Sequence, residues 1–503
     1  MAGIKSLAKE TAVYGLSSIV GRFLNWCLVP LYVYLFPAEE YGIVSYLYSF
    51  TAVALVILNY GMETGFFRFA NREDADPERV YSTSLISVGS TSLIFIILIS
   101  VFLSPVSRAL LLPRHPLYVW LLGVTVAVDA FSNIPFAYLR FRKMPYRFAG
   151  IKLLNVGFNI ALNLFFLLCC PSIAEGKASW LIDWFYLPLG GREFGIGWIF
   201  VANILSTLLV LLCLIPWIAG KITTFDGTLL RRMISYSWPL LILGIAGVLS
   251  QNMGQIVIPY LFEGNESAAR EMVGIYGANM KIAIVMVMFT QAFRYAYEPF
   301  IFAQAKSKGE DKSRAYCDAM KYFVIFGLFI FLVVMYFLPV LKHFIAPGYW
   351  EGLRVVPVMM AAELCFGVYF NLSLWYKLTD RTRWGMYFSL ICFVLMLGLN
   401  VWLVPLIGIP DGYLGSAWAA LISYFAVMCL SYFIGRIYYP LPYPIVKMGL
   451  FTLLAAMLYV AGEWLSFPSG MGLTYALRCL LLLIYVAAVY FAERPRSLRS
   501  FRR

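Results

Sequence analysis

The chain is predicted to be an all-α polytopic membrane protein of 14 transmembrane helices. These form two six-helix bundles related by a pseudo-twofold axis, with two extra helices at the C-terminal end. Three features predict this fold. Of the 503 residues, 62% are hydrophobic and only 13% are charged, a balance outside that of water-soluble domains. Apolar runs of about 20 residues recur along the chain, each able to cross roughly 30 Å of hydrocarbon at 1.5 Å per residue. Prolines such as Pro37, Pro77, Pro105, Pro113, Pro171, Pro339 and Pro440 fall in or beside the short stretches between those runs.

In order, the spans cover approximately 11–36, 42–65, 80–104, 117–139, 148–168, 194–217, 233–258, 272–296, 316–339, 353–374, 385–404, 413–434, 445–464 and 474–491. The first is too long for a secretory signal, and no small-residue cleavage site precedes the acidic turn at Pro37–Glu40. Lysines and arginines concentrate in the segments that an inside N-terminus would place inside, ending with Arg494, Arg496, Arg499, Arg502 and Arg503. Both termini are therefore expected on the cytoplasmic side. The net charge of +13 then reads as an inner membrane surface rather than a nucleic-acid site. The longest outer loop, 169–194, holds Trp180, Trp184 and Tyr186, which are expected to anchor it at the headgroup layer.

The second half echoes the first. Tyr41-Gly42 opens the second span and Tyr276-Gly277 falls early in the eighth, each after an acidic loop. Basic turns at Leu139–Lys143 and Trp375–Lys377 lead to helices carrying Asn163 and Asn400. Six spans per repeat is an even number, so both halves enter the membrane the same way up and their axis runs along its normal. The division expected is 1–220, 221–440, and 441–503 for the last two helices and tail, with a cleft between the bundles suited to alternating access.

Polar residues inside spans mark the candidate site, because a charge at the bilayer centre costs about 2.5–3.5 kcal/mol even on the lenient scale. Arg22 lies near the middle of the first span, on one stripe with Thr11, Tyr14, Ser18 and Asn25. Gln251 and Gln255 lie in the seventh span, and Lys281, Gln291, Arg294 and Glu298 in or beside the eighth. Arg22, Lys281 and Arg294 are the cations expected to attract a phosphate-bearing substrate, with Asn25, Gln251, Gln255 and Gln291 as its polar contacts. Glu63, Asp129, Glu298 and Glu363 either couple a proton or cation or neutralise those charges. Lys152, Asn155, Asn159 and Asn163 form one polar face of the fifth span. Interhelical hydrogen bonding, worth about 0.6 kcal/mol on average, is the simpler reading of that face.

Nothing points to catalysis. The chain has no phosphate-binding glycine loop, HExxH or GxSxG pattern, so no enzyme activity and no cofactor are expected. The two histidines, His115 and His343, are far apart and no CxxC pair occurs, so no metal site is expected either.

With Thr11–Leu16 and Arg22, the turn Pro37–Gly42, Gly61-Met62-Glu63, Phe67-Arg68-Phe69 and Leu139-Arg140, the chain resembles the bacterial lipid-linked oligosaccharide flippases. These are the O-antigen and polysaccharide exporters of the multidrug/oligosaccharidyl-lipid/polysaccharide (MOP) superfamily. The resemblance implies a MATE-like fold of two bundles opening alternately to each side, with the last two spans near the lipid tail. It implies an undecaprenyl-pyrophosphate-linked glycan carried from the inner to the outer leaflet of the bacterial cytoplasmic (inner) membrane. The partners expected are that glycan, membrane lipids, and a coupling proton or sodium ion. No nucleic acid is expected, and a monomer would act beside polysaccharide polymerase machinery. A MATE-type small-molecule antiporter, a lipid II flippase and a membrane glycan polymerase are the competing readings. A basic cleft disfavours cationic drugs, and outer loops of no more than about two dozen residues disfavour a polymerase.

Overall fold

A computed structural model describes residues 15, 17, 19–73, 76–176, 182–304, 310–379, 381, 383–464 and 471–493, without the side chains of 295, 296, 298–304, 310–312, 374, 377 and 471. The fold is all-α. Among the described residues, 13 helices are long and apolar enough to cross a membrane, and a shorter apolar helix, Ile19–Leu35, precedes them. The order matches the fourteen spans expected. The principal helices are α1 (Ile19–Leu35), α2 (Ala38–Asn59), α3 (Met62–Ala70), α4 (Pro77–Val101), α5 (Pro116–Phe141), α6 (Pro145–Leu164), α7 (Gly197–Ile218), α8 (Gly227–Leu261), α9 (Glu266–Gln304), α10 (Glu310–Tyr336), α11 (Val355–Leu372), α12 (Arg383–Ile407), α13 (Tyr413–Tyr438), α14 (Ile445–Trp464) and α15 (Met471–Glu493). Trp180 and the basic tail from Arg494 lie outside the described residues.

Two breaks interrupt spans that the sequence pattern predicts as continuous. Helix α1 is interrupted by a turn at Cys27–Leu28, just ahead of Pro30, whose missing N–H and ring crowd the preceding turn. The second span is not continuous either. Tyr60 and Gly61 adopt left-handed φ values of 30° and 70°, ending α2 and starting α3. Asn59 and Glu63 therefore sit on opposite sides of a break made possible by Gly61.

The chain packs as two compact units, Met1–Gly277 with Asn400–Tyr413, and Ala278–Leu399 with Leu414–Arg503. In the first, Tyr81, Phe66, Ile134 and Met233 are fully buried where α3, α4, α5 and α8 meet. Asp76 and Asp226 cap the N-termini of α4 and α8. Asp226 accepts hydrogen bonds from the Thr228 and Leu229 amides and pairs with Arg79 at 2.9 Å. The Thr228 hydroxyl, followed by these other contacts, holds its carboxyl below the usual range.

The segment after α6 corrects the headgroup-anchor expectation for Tyr186. Its ring is buried and stacked on Trp198 at 5.0 Å, while Phe166 stacks on the same indole at 4.8 Å. Ile182 and Cys170 complete this small core. Trp184 alone of the described aromatic pair is exposed, at 77%. Alternation cannot reveal such a fold-back, because the stacking partner Trp198 belongs to the next helix.

In the second unit, α14 and α15 pack on α10 through Phe323, Leu332, Tyr336, Phe451 and Tyr485. Gly462 admits the Tyr336 ring, which a Cβ would meet at 2.4 Å. The Tyr336 hydroxyl donates to the Leu458 carbonyl and the Tyr485 hydroxyl to that of Ile325. Two in-span cations are spent here. Lys321 pairs with Glu493 at 2.6 Å and Asp318 at 2.9 Å, and Arg478 donates to the Tyr336 carbonyl and lies 3.7 Å from Glu463.

Candidate functional site

Helical spacing brings polar residues of five helices in the first unit to one place. On α5, Thr125 and Asp129 are four residues apart, as are Asn155 and Asn159 on α6 and Asn203 and Thr207 on α7. Tyr48 and Thr51 share a face of α2. Together with Asn25 of α1 and Ser206 of α7 they line a cavity of about 200 Å³. Asn203 donates its amide hydrogen to the Tyr48 hydroxyl, and Thr207 hydrogen-bonds the Asp129 carboxylate. Thr51, Thr125 and Ser206 give their hydroxyl protons to carbonyls of their own helices, which leaves oxygen lone pairs as acceptors. Lys152, one turn from Asn155, is the cation that acts on Asp129, and its ammonium sits 4.0 Å from the Phe136 ring centre.

Such a lining is rich in acceptors around one carboxylate. It suits a proton or a hydrated cation, and the cavity has room for several waters but not for an oligosaccharide. Asn25 and Asp129 are thus brought together, a juxtaposition invisible to the pattern of either helix. The polar face of α6 divides in a way that sequence reading missed. Asn163 is buried and packs as expected, accepting from the Tyr32 hydroxyl at 2.9 Å and donating to the Asn159 carbonyl. Asn155 and Asn159 line the cavity instead. Tyr48, Thr51, Asn203 and Thr207 were also missed, the i,i+4 pair on α7 being the available signal.

The other predicted residues lie elsewhere. Arg22 is exposed, one turn before Asn25 and outside the cavity lining. Glu63 pairs with Arg140, joining α3 to α5. Gln255 accepts from the Ser49 hydroxyl, so it ties α8 to α2, and Gln251 is exposed. In the second unit, Glu363 is buried on α11, Lys281 and Gln291 are half-buried on α9, and Arg294 lies 4.3 Å over the Phe370 ring. Lys281 and Arg294 are 13 residues apart, which on a helix means roughly 20 Å along the axis and nearly opposite faces. The Glu298 side chain lies outside the described residues. Among the described residues, no cluster of three or more metal-ligating groups occurs.

Residues 7–171 match the family described as "Polysaccharide biosynthesis protein". No curated protein matches the chain. Among solved structures, the chain is similar to an inward-facing MATE-family multidrug resistance transporter of the MOP superfamily, at 14% identity and a TM-score of 0.65. That match covers 83% of this chain and 94% of the other. It is also similar to the lipid II flippase MurJ in an inward closed conformation, at 12% identity and a TM-score of 0.65, covering 96% of this chain and 99% of the other. A MOP-superfamily transporter from Pyrococcus furiosus, described as having a binding pocket of reversed polarity, matches at 13% identity and a TM-score of 0.54 over 85% of this chain and 95% of that one. The chain therefore has the transporter fold shared by MurJ and the MATE proteins of the MOP superfamily, and its first third matches a polysaccharide-biosynthesis family.

Proposed function

We propose that the protein is a flippase carrying an undecaprenyl-pyrophosphate-linked oligosaccharide from the inner to the outer leaflet of the bacterial cytoplasmic membrane. Both termini are cytoplasmic in this reading, and the protein works by alternating access as a monomer beside the glycan polymerase. The observation that carries it is the polysaccharide-biosynthesis match over 7–171 on a chain whose MurJ likeness extends over 96% of its length. The match to the MATE-family structure covers less of the chain, 83%. In this reading Arg22, Lys281 and Arg294 are cations that attract the pyrophosphate, each at its own point rather than as one cluster, with Asn25, Gln251, Gln255 and Gln291 as polar contacts. Asp129 binds the coupling proton or sodium ion, and Glu298 and Glu363 serve the same role in the second unit. Glu63, held by Arg140, neutralises that cation rather than coupling transport.

A small-molecule antiporter is favoured by the MATE likeness, and a lipid II flippase by the MurJ likeness. Reconstitution separates the three. Purified protein in vesicles is given a labelled polyprenyl-pyrophosphate oligosaccharide, and its arrival in the other leaflet is read by an impermeant glycosidase. Translocation of this lipid in preference to lipid II supports the proposal. Efflux of a cationic dye without glycolipid movement overturns it.

A further inference from the structure

Gly61 and Gly65 let α3 lie close on α8. A Cβ on Gly65 would be 3.0 Å from the Ser237 hydroxyl oxygen, and one on Gly61 would be 3.1 Å from Ser237 atoms. Gly61 meets Ser237 and Leu240, and Gly65 meets Met233 and Ser237, so the helices run antiparallel. The residues that follow Gly65 on α3 therefore meet those that precede Met233 on α8. That register places Arg68 near Arg231 and Arg232, and with Arg72 in the turn just beyond α3, Ser235 and Tyr236 they line an open groove of about 440 Å³.

The groove is ordered by stacking. The Arg68 guanidinium lies 3.9 Å over the Tyr236 ring and that of Arg72 lies 4.2 Å over Phe69. Stacking fixes the plane of each guanidinium and leaves its edge N–H groups for an acceptor. Among the described residues, none of the four arginines makes an ion pair within 4 Å. Asp226, just before them in sequence, is taken by Arg79 and by the helix cap. Four like charges in one groove repel each other, and an anion with two phosphates relieves this with two guanidiniums for each. The N-terminal end of α8 adds its dipole. Beneath Arg231, the exposed apolar residues Ile234 (42%), Trp238 (53%) and Ile242 (40%) continue one face of α8.

We propose that this groove binds the diphosphate headgroup of a lipid whose hydrocarbon chain lies along the Ile234–Trp238–Ile242 stripe. It is separate from the residues assigned to the substrate above. The site rests on the flippase reading only for the setting of these helices in a bilayer.

The full-length protein in phosphatidylcholine nanodiscs is titrated with farnesyl diphosphate, with inorganic pyrophosphate, and by doping the discs with phosphatidylglycerol. Wild type binds farnesyl diphosphate saturably. The variants R68A/R72A and R231A/R232A weaken it at least tenfold, R231K/R232K gives an intermediate loss, and R192A, a surface control, changes nothing. Unchanged affinity in both alanine pairs, with melting curves matching wild type, overturns the site. Pyrophosphate binding as tightly as the lipid overturns the lipid assignment, and equal binding to phosphatidylglycerol discs reduces the groove to a general anionic-surface contact. The vesicle assay on the same variants separates the two readings. Diphosphate binding without glycolipid translocation fails only the flippase, whereas translocation with no arginine-dependent binding fails only the groove.

Discussion

Gly42 of α2 and Gly274 of α9 lie backbone against backbone. A Cβ on Gly42 would fall 1.9 Å from the carbonyl oxygen of Arg270, and a Cβ on Gly274 would fall 1.9 Å from that of Ala38. One turn on, Gly277 takes the Ser45 side chain, which a Cβ would meet at 2.5 Å. Small residues at both helices permit this approach and its Cα–H···O contacts. Because the obstructing atoms are backbone, Gly42→Ala or Gly274→Ala must push the helices apart. The expected cost is about 1–3 kcal/mol. A lowered melting temperature in detergent for either variant, with less than the summed loss for the pair, checks this.

Asp129→Asn keeps the shape of the cavity while removing its one carboxylate. Glycolipid binding is expected to persist, and transport is expected to lose its dependence on an imposed proton or sodium gradient. Transport that still follows the gradient would place coupling on another acid.

Arg22→Ala and Lys281→Ala are each expected to abolish export of surface glycan at unchanged protein level. Arg22→Lys should keep part of it, since an ammonium retains the charge but not the forked donors. The measurement is surface glycan by immunoblot in a strain lacking the native gene. Normal export by both alanine variants would remove the cationic mechanism while leaving the fold intact.

Lys321 holds α15 to α10 through Glu493, which also binds Lys447 of α14. Lys321→Ala leaves the Glu493 carboxylate, only 14% exposed, with half its partners. Removing one member of a buried pair typically costs about 3–5 kcal/mol. Faster proteolysis of the last two helices is expected, and Lys321→Met with Glu493→Met should recover much of the loss.

His115, at the start of α5, stacks on Tyr118 at 4.8 Å. Burial, and then the charges of Arg270 and Arg114, hold its imidazole below the ordinary value of 6.5. The folded protein thus stays neutral there at pH values where the unfolded chain takes up a proton. Its contribution to stability is whole above 6.5 and falls away as pH drops below that, through the folded pKa. Melting temperatures measured between about pH 5 and 8 should fall on the acid side, less steeply in His115→Gln.

Much of the architecture was legible in the residue pattern because a bilayer demands it. Every spanning segment must be long, apolar and internally hydrogen-bonded, so length and hydropathy alone placed the helices and their order. The break ahead of Pro30 has a local cause, although the first span was expected to run unbroken over 11–36. The break at Tyr60-Gly61 was not foreseen, since a single glycine in an apolar run is compatible with an unbroken helix and only the packing of α3 on α8 selects the left-handed turn there.

Sequence by itself determined that this is a helical membrane protein with polar groups inside its spans. Composition and period report what each helix must do against lipid and against its own backbone. Which polar groups meet was left to the tertiary structure. Asp129 joins Asn25, Asn155 and Thr207 around one cavity, Lys321 and Arg478 are consumed in holding the last helices, and four arginines from α3, the turn after it and α8 line one groove. Helical spacing gives the face of one helix, but a site needs the register between helices. That register is set by close contacts such as Gly65 against Ser237, which no single segment encodes.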